Sequence, residues 1–404
     1  MVSVDCSDTN KFVENTDAEI YAIADELAHL YTSGQKDKYE KKSKYNGLKY
    51  LPNGVLFVPL LREFFSPTNH QIADWMHMLC NGGVVGTELG LLIHVLKAQR
   101  PSITLEELTN FLLQFTLPKK HGKVDAKWLG SNRLHDDNLQ TLCGMLMSLC
   151  PIVLLFLEVN VAPKGILQEN ILCFKILVDI LGVLSLGPDR AMLYVDKLRK
   201  LIVLHARMFS MLYPLAAKPK FHHFLCSTVR DMEWVGKLLS CFVTERLHRT
   251  SRKAALHVFR HMEHTVIADV INRQCNGMMN DVNLYNVRFT VNPKDIQLSC
   301  PGTFSFALSC VLECGEIFKD DIVWMRDGTV GAVVKFWEKA TEEDIMVEIA
   351  NHPIASPTSM NEFRQDNSVH SFHRAQDLFD ACSWFTISPG LIKVIQPFVA
   401  RADL

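Results

Sequence analysis

The chain has 404 residues, 48% of them hydrophobic and 21% charged, which is the composition of a globular protein with room for two or three domains. Its formal net charge of −2 excludes a global attraction to nucleic acid or to a membrane surface, so any such contact requires a local basic patch. We expect a nuclear or cytoplasmic protein, not a secreted one, because the first twenty residues carry acidic side chains and lack a basic start followed by an apolar run.

Residues 1–45 are predicted to form a polar N-terminal segment. An amphipathic helix is expected over residues 17–31, and the charge run at residues 36–44 is interpreted as a solvated linker. Residues 47–58 carry the turn Pro52-Asn53-Gly54 between two short apolar runs, which predicts a hairpin.

Residues 46–275 are predicted to be an α-helical region. The first helix is expected over residues 66–80, because Pro67 follows Ser66 and apolar residues then recur at three- and four-residue spacing. Gly82-Gly83 should end it, and further helices are expected over residues 87–98 and from Pro101 onward. The helical pattern continues to Arg273 and is broken at prolines and glycines.

The strongest candidate for a membrane span is the apolar stretch at residues 142–161. Pro151 is expected to split it, and the apolar run before Glu158 is about 16 residues, shorter than the roughly 20 that a spanning helix needs. The next apolar stretch, residues 166–187, is interrupted by polar and charged side chains. We therefore expect two buried helices and no membrane partner.

The twelve cysteines are scattered along the chain and form no Cys-x-x-Cys motif. This pattern favours reduced thiols in the core of a cytosolic or nuclear protein. Cys310 and Cys314 are one close pair, but no second pair lies at the spacing of a zinc ribbon, so the sequence assigns them no metal.

Short β-type runs replace the helical pattern after Cys275. They lie at residues 285–291, 304–308, 321–325, 330–337 and 345–349, and Asp327-Gly328 predicts a tight hairpin between the third and the fourth. The count fits a five-stranded, partly closed β-barrel-like module at residues 276–350. Residues 351–404 are expected to be an irregular tail with a short helix near residues 374–384. The predicted fold is thus mainly α, with a multi-helix domain and a small C-terminal β-barrel-like module.

Asp74 and His77 are the first residues that could carry chemistry. At a spacing of i, i+3 both side chains point to one helix face, where a carboxylate can orient the imidazole and fix its tautomer. The structural alternative is that Asp74 only pairs with His77 or caps a neighbour, while Trp75 and Met76 fill the core.

Glu245 is the second candidate, at the head of a helix expected over residues 242–272. A carboxylate on a rigid helix can be a metal ligand for phosphoryl transfer, but the two-metal arrangement needs several converging carboxylates. The alternative is an ordinary helix glutamate paired with Arg246 or Arg249.

A basic stretch at residues 218–264 surrounds this glutamate. It holds nine lysines and arginines and six histidines against four acidic residues, and it includes the candidate DNA-binding residues Lys218, Lys220, Arg246, Arg249, Arg252 and Lys253. Such a stripe suits an anionic polymer such as DNA, because neutralised phosphates release their counterions. The alternative is a basic helix face that is solvated, or that is paired with acidic residues elsewhere.

Taken together, these clusters resemble the second half of a cut-and-paste DDE transposase of the CACTA/hAT kind. Asp74-x-x-His77 resembles the Asp-x-x-His element that follows the second catalytic aspartate of such enzymes. Lys218-Pro-Lys-Phe-His-His-Phe resembles their Lys-Pro-Lys-x-His block, and Phe-Val-Thr-Glu245-Arg-Leu-His-Arg resembles the block that carries their last acidic residue. The helical residues between His77 and Glu245 then correspond to the helical insertion of that family.

The resemblance implies functional roles for these residues. Glu245 would be the third catalytic carboxylate and a ligand of Mg²⁺, and Asp74 and His77 would orient the site or the flanking DNA. Lys218, Lys220, Arg246 and Arg249 would contact phosphates. The residues before Asp74 contain no run of alternating β strands that could supply the first two aspartates, so we expect an inactive transposase remnant.

Other functions compete with this interpretation. The runner-up is a helical protein-interaction scaffold with no nucleic-acid role. The partner would then be another protein, whereas a remnant could also associate with an intact transposase. The hairpin region resembles small SH3-like or chromatin-type β modules, by analogy of fold alone. An unrelated enzyme is disfavoured, because the sequence contains no Gly-rich phosphate loop and no His-Glu-x-x-His or Gly-x-Ser-x-Gly element.

Overall fold

The structure is a computed structural model that describes most of the chain. The described residues are 15–68, 74–80, 82–99, 103–130, 133–135, 138–139, 141–214, 216–239, 288–289, 294–297, 303–312, 315–339, 345–355 and 361–396. The chain divides into two units, Ser7–Ala73 on one side and Asp74–Leu404 with Met1–Cys6 on the other.

The smaller unit contains the helices α1 (Asp17–Thr32), α2 (Lys36–Asn46) and the single turn α3 (Pro59–Arg62). The amphipathic helix predicted over residues 17–31 is confirmed as α1, which starts at a capping box formed by Thr16 and Glu19. The charge run at residues 36–44 is solvated as predicted, with no buried residue, but it is a helix and not a linker. Lysine and glutamate are good helix formers, and the run forms α2, which ends at Gly47 in the left-handed conformation (φ +68°).

The hairpin predicted at residues 47–58 is also wrong. Residues 52–57 form turns without strands. Aromatic rings pack here instead, since Tyr50 lies 5.1 Å from Tyr31 and 5.0 Å from Phe57 between ring centroids. Aromatic packing thus replaces the strand pairing that the turn between two apolar runs had indicated.

The larger unit begins with a helical part. Its described α-helices are α4 (Trp75–Leu79), α5 (Val84–Ala98), α6 (Leu105–Leu112), α7 (Cys143–Phe156), α8 (Gln168–Leu184), α9 (Val195–Leu212) and α10 (Pro219–Val235). Short 3-10 turns lie at Lys119–His121, Ala126–Leu129, Ala162–Lys164 and Arg190–Tyr194. The core contains fully buried side chains such as Leu92, Leu149, Phe174 and Phe209. The prediction of a multi-helix region is confirmed for the described residues.

The first predicted helix starts later than expected. Ser66-Pro67 lies outside any helix, and α4 begins after its N-cap residue Asp74. The reason is local, because the Asp74 carboxylate accepts the main-chain N–H of His77 and so defines the first turn.

Pro151 does not break its helix, contrary to the prediction. It lies inside α7, which continues into a π-helical turn at Leu157–Val161. A proline inside a helix costs about 3 kcal/mol, which the burial of neighbours such as Leu149 and Ile152 offsets. Two helical segments, Trp75–Ala98 and Cys143–Lys164, are long and apolar enough to cross a membrane, and 76% and 56% of their most apolar windows are buried inside the fold. The core helices of soluble proteins can be equally long and apolar, so the two segments are weak evidence of a membrane span.

The rest of the larger unit is rich in antiparallel strands. After the two-residue strands β1 (Leu134–His135) and β2 (Asn138–Leu139), these are β3 (Arg288–Phe289), β4 (Lys294–Gln297), β5 (Thr303–Ala307), β6 (Ser309–Leu312), β7 (Gly315–Phe318), β8 (Ile322–Met325), β9 (Val330–Lys339), β10 (Ile345–Asn351), β11 (Glu362–Arg364), β12 (His370–Arg374), β13 (Leu378–Ala381), β14 (Trp384–Ser388) and β15 (Leu391–Val394).

These C-terminal strands form three sheets in the described residues. The largest runs in the order β12-β10-β9-β5-β4, with β8 joining β9 to β13; the others are β11-β15-β14 and β3-β6-β7. A strand-rich region is therefore confirmed. The described sheets do not close into a barrel, so the barrel-like part of the prediction is not confirmed.

The hairpin predicted around Asp327-Gly328 is confirmed. Strands β8 and β9 pair with Val323 opposite Gly331, and Gly328 takes the left-handed conformation (φ +88°) that the turn requires. The irregular tail predicted at residues 351–404 is wrong, because strands β11–β15 lie there, and so is the helix predicted near residues 374–384. Only the 3-10 turn Ala375–Asp377 forms there, and β13 then pairs with the buried strand β8, so that tertiary pairing overrides local helix propensity.

The helical part and the sheets of the larger unit share a seam. Thr116 and Trp384 form an antiparallel bridge, and the Asp321 carboxylate accepts the main-chain N–H of Lys119 at 2.9 Å. Phe115 lies 4.8 Å from Phe385 between ring centroids. Main-chain, ionic and aromatic contacts therefore join the two parts.

Candidate functional site

Asp74 and His77 contact each other at the start of α4, where Asp74 is the N-cap residue and not part of the helix face, as the structural alternative predicted. The Asp74 carboxylate caps α4: one of its oxygens, Oδ2, lies 2.9 Å from the His77 main-chain nitrogen and 2.6 Å from the imidazole Nδ1. The His77 side chain is 42% exposed and that of Asp74 is 20% exposed. One carboxylate oxygen thus starts the helix and orients an accessible imidazole.

The Lys-Pro-Lys block starts α10 with Lys218 as N-cap residue and Pro219 in the first turn. Lys220 donates from Nζ to the main-chain oxygen of His77 at 3.1 Å, although the two residues are 143 positions apart. Lys218 donates to the Thr87 hydroxyl at 3.2 Å. The structure therefore brings the Asp-x-x-His element and the Lys-Pro-Lys block into direct contact.

The two lysines are half-buried in this arrangement. Burial, with a contribution from the neighbouring Lys218 charge, lowers the pKa of Lys220. Each ammonium has three N–H donors. A phosphate contact is compatible with the contacts to His77 and Thr87 only if it uses the other donors.

The described basic residues farther along α10 contact acids. Arg230 lies 3.1 Å from the Asp231 carboxylate, Lys237 lies 3.7 Å from that of Asp189, and Arg199 of α9 pairs with Glu233. Of these pairs, only the one between Lys237 and Asp189 brings an acid from outside the stretch and so offsets part of its positive charge.

The remaining predicted site residues lie outside the described residues. These are Glu245, Arg246, Arg249, Arg252 and Lys253. The packing of a helix at residues 242–272 near α4 and the role of Glu245 as an Mg²⁺ ligand stay predictions.

A second polar cluster lies in the core of the helical part and was missed by sequence reasoning. It consists of Glu88 of α5, Cys173 of α8 and His205 of α9, whose ligand atoms all lie within 4.8 Å of one another. The Glu88 Oε2 and His205 Nε2 atoms are 2.6 Å apart, and both side chains are 1% exposed. The three residues are widely separated in sequence and lie in apolar helices, so no short motif reveals them.

The electrostatic influence of Glu88 extends to the groups around it. Burial raises the pKa of the Cys173 thiol, and the Glu88 charge raises it further. The same two causes, in the same order, raise the pKa of Cys150. Burial also raises the pKa of Tyr213, although its hydroxyl accepts a hydrogen bond from Asn170 at 2.9 Å. Neighbouring thiol and phenol groups are thus held in their neutral forms.

The strand-rich region has a cleft of about 470 Å³ beside the β8–β9 turn. Val330, His352, Ile354 and Phe363 are among its lining residues. His352 is buried, and burial lowers its pKa. Polar side chains at Asp327, Thr329, Asn351 and Asp366 lie beside the apolar ones, so the cleft lacks the predominantly apolar lining of a typical ligand pocket.

Comparisons with models of known protein families and with curated proteins find no match to this chain.

Proposed function

We propose that the chain is a remnant of a cut-and-paste DDE transposase that is inactive alone and contacts DNA through its basic region, in the nucleus or the cytoplasm. The observation that carries the proposal is the hydrogen bond from Lys220 to the His77 carbonyl. Two of the motifs that resemble the family, remote in sequence, meet in one place, as parts of a single ancestral site would.

The local electrostatics of this place suit a phosphate backbone. The Lys220 ammonium group contacts the His77 main-chain oxygen, and the Lys218 ammonium group contacts the Thr87 hydroxyl. The N-terminus of α10, which carries the positive end of its helix dipole, begins at the same point. Cationic side chains and a helix N-terminus are the usual phosphate contacts of DNA-binding proteins.

The inactivity of the remnant follows from the chemistry of phosphoryl transfer. Two metal ions require several converging carboxylates, whereas the motifs supply Glu245 as the single family-matched metal ligand. Mg²⁺ is implied by the family resemblance alone. We expect purified protein to leave supercoiled plasmid intact in the presence of Mg²⁺; nicking that persists in a Glu245→Gln variant would point to a contaminant, and nicking abolished by that change would refute inactivity.

DNA contact is tested by the salt dependence of binding to a fluorescent duplex. The dissociation constant is measured by anisotropy over a series of KCl concentrations for the wild type, a Lys218→Gln/Lys220→Gln double variant and a Lys200→Gln control on the exposed face of α9. Each lost phosphate contact should reduce the slope of log K against log salt by about 0.9. The control should keep the wild-type slope, and a flat wild-type curve would contradict DNA contact.

A protein-interaction scaffold is the second candidate, and exposed apolar side chains on α9 and α10 favour it. Leu204, Met211 and Trp234 are 46%, 79% and 58% exposed. Large exposed apolar residues mark interaction surfaces when they cluster. Under this alternative the duplex-binding curve is flat, and the strand-rich region acts as an SH3-like module whose cleft takes a peptide, by analogy of fold alone.

A further inference from the structure

Three helices contribute one metal-binding type of side chain each to the centre of the helical part. Glu88, Cys173 and His205 are all buried, and their ligand atoms lie within 4.8 Å of one another. Among the described residues, this is the one group of three or more such side chains that lie this close together.

One buried oxygen atom of this cluster has no hydrogen-bond donor. The Oε1 atom of Glu88 is buried and accepts no hydrogen bond in the described structure, while Oε2 faces His205 at 2.6 Å. A buried carboxylate oxygen without a donor is unfavourable, because it has lost its water and gained nothing in return. A cation held at the cluster would supply what Oε1 lacks.

The chemistry of the three donors selects the cation. Imidazole nitrogen, thiolate sulphur and carboxylate oxygen together are a ligand set of zinc, whereas Mg²⁺ and Ca²⁺ require oxygen ligands. A carboxylate, a thiolate and a neutral imidazole around Zn²⁺ sum to zero charge, which a buried site favours.

We propose that Glu88, Cys173 and His205 bind a structural zinc ion that ties α5, α8 and α9 together. Zinc enters as the hydrated ion and Cys173 loses its thiol proton to solvent, so that the sulphur binds as thiolate with no change of oxidation state. Glu88 binds through both oxygens, which completes four donor atoms and gives Oε1 its partner. With zinc–ligand distances of about 2.0–2.3 Å, the Glu88 Oε2 and His205 Nε2 atoms move apart to roughly 3.4 Å around a four-coordinate ion, whose geometry the narrow bite of the carboxylate distorts from tetrahedral.

The competing explanation is a metal-free hydrogen bond between Glu88 and His205. The Cys173 thiol also interacts with Glu88 without metal, so the two explanations differ in zinc binding: a zinc site loses its metal when Cys173 is replaced, whereas the metal-free contacts bind none. Cys80 offers a matched control, because its side chain is also buried in the helical part and it does not belong to the cluster.

The experiment uses the full chain, unfolded in denaturant with a chelator, refolded with a small excess of ZnCl₂ and then desalted. Bound zinc is measured by elemental analysis for the wild type, Cys173→Ala, His205→Gln and Cys80→Ala. We expect one zinc per chain in the wild type and in Cys80→Ala, and at least about a tenfold lower affinity in the two cluster variants. Wild type that retains no zinc, or equal zinc in all four proteins, would overturn the proposal.

His205→Gln keeps the test decisive if Cys173→Ala fails to fold, since the glutamine amide still donates to Glu88 and preserves the hydrogen bond. Refolding with Co²⁺ gives a second readout that structural damage alone would not mimic. A thiolate-to-cobalt charge-transfer absorption should appear in the wild type and in Cys80→Ala and be absent from folded Cys173→Ala. The same band in all three proteins, or in none of them, would also overturn the proposal. The result is independent of DNA binding, so either proposal can fail alone.

Discussion

At the start of α4, Asp74 and His77 meet at 2.6 Å between carboxylate oxygen and imidazole nitrogen, and in the helical core Glu88 and His205 meet at the same separation. The first pair spans one helical turn and is partly exposed, whereas the second joins residues 117 positions apart and is buried. Distance alone therefore says little about energy. The surroundings decide, because water screens the first pair, while the second pair has lost its water and depends on its partners.

A third pair lies between these extremes. In the strand-rich region, Glu348 Oε1 lies 2.7 Å from His370 Nδ1, and its other oxygen accepts the Trp337 indole N–H at 2.9 Å. The Glu348 side chain is 12% exposed and that of His370 is 39% exposed. The three pairs allow the contact between a carboxylate and an imidazole to be compared at three degrees of burial.

Glu88→Ala should have the largest effect. It leaves the buried His205 imidazole without its partner and opens a cavity, so we expect a loss of about 3–5 kcal/mol in the free energy of unfolding. Urea unfolding followed by circular dichroism measures the loss. Glu158→Ala is the control, because Glu158 forms a 3.9 Å pair with Lys175 in which both side chains are about two-fifths exposed, and it should cost less than about 1 kcal/mol. Equal costs for the two variants would show that burial does not separate the pairs.

Glu348→Ala should have an intermediate effect of about 1–3 kcal/mol, because the mostly buried Trp337 indole N–H loses its acceptor. Glu348→Gln keeps an oxygen that can accept this hydrogen bond and should recover most of the loss. The same unfolding experiment measures both variants. If the glutamine variant is as unstable as the alanine variant, the indole contact is not what Glu348 contributes.

Asp74→Ala should cost about 1 kcal/mol, the usual value of a helix N-cap. Asp74→Ser retains a capping oxygen and should stay within a few tenths of the wild type. Thermal unfolding compares the three proteins. A serine variant as unstable as the alanine variant would show that the pairing with His77, and not the cap, dominates at this position.

Replacing His352 should have the smallest effect on the free energy of unfolding, and only under mildly acidic conditions. It is buried, and its Nδ1 faces the Asp366 main-chain N–H at 3.4 Å. Burial lowers its pKa from 6.5, so below that pH the unfolded chain takes up a proton that the folded protein resists. Stability is therefore full above about pH 6.5 and declines as the pH falls below it.

The variant His352→Gln should flatten that decline in unfolding free energy measured between pH 7 and pH 5, roughly the range in which histidine titrates. His223→Gln, at an exposed position of α10, serves as the control and should keep the wild-type slope. An unchanged slope in His352→Gln would assign the acid sensitivity to other groups.

The two pairs also show what the sequence could reveal about the candidate site. The Asp74–His77 contact is local, because Asp74 is the N-cap residue of α4 and His77 lies in its first turn, and the sequence had offered this pairing and capping as the structural alternative. The Glu88–His205 contact depends on how α5 and α9 pack, which no local pattern encodes. The contact between Lys220 and His77 also depends on helix packing. The family motifs therefore identified the two residues, but the sequence did not show that they lie together.

The fold shows the same division between local and non-local information. The hairpin at Asp327-Gly328 was predicted correctly, since a turn and two alternating strands are local signals. The helix expected near residues 374–384 was wrong, because β13 pairs with β8, which lies far earlier in the chain. The break expected at Pro151 failed because the local cost of proline is offset by packing with other helices.

The seam between Lys119 and Asp321 has a consequence for how the chain folds during synthesis. These partners are 202 positions apart, so the segment around Thr116 leaves the ribosome long before its partners exist. Phe111 and Phe115 contact Phe385 in the folded protein, and these two contacts cannot form until Phe385 has been synthesised. Closing so long a loop is slow and entropically costly, so the seam should be among the later parts of the larger unit to form.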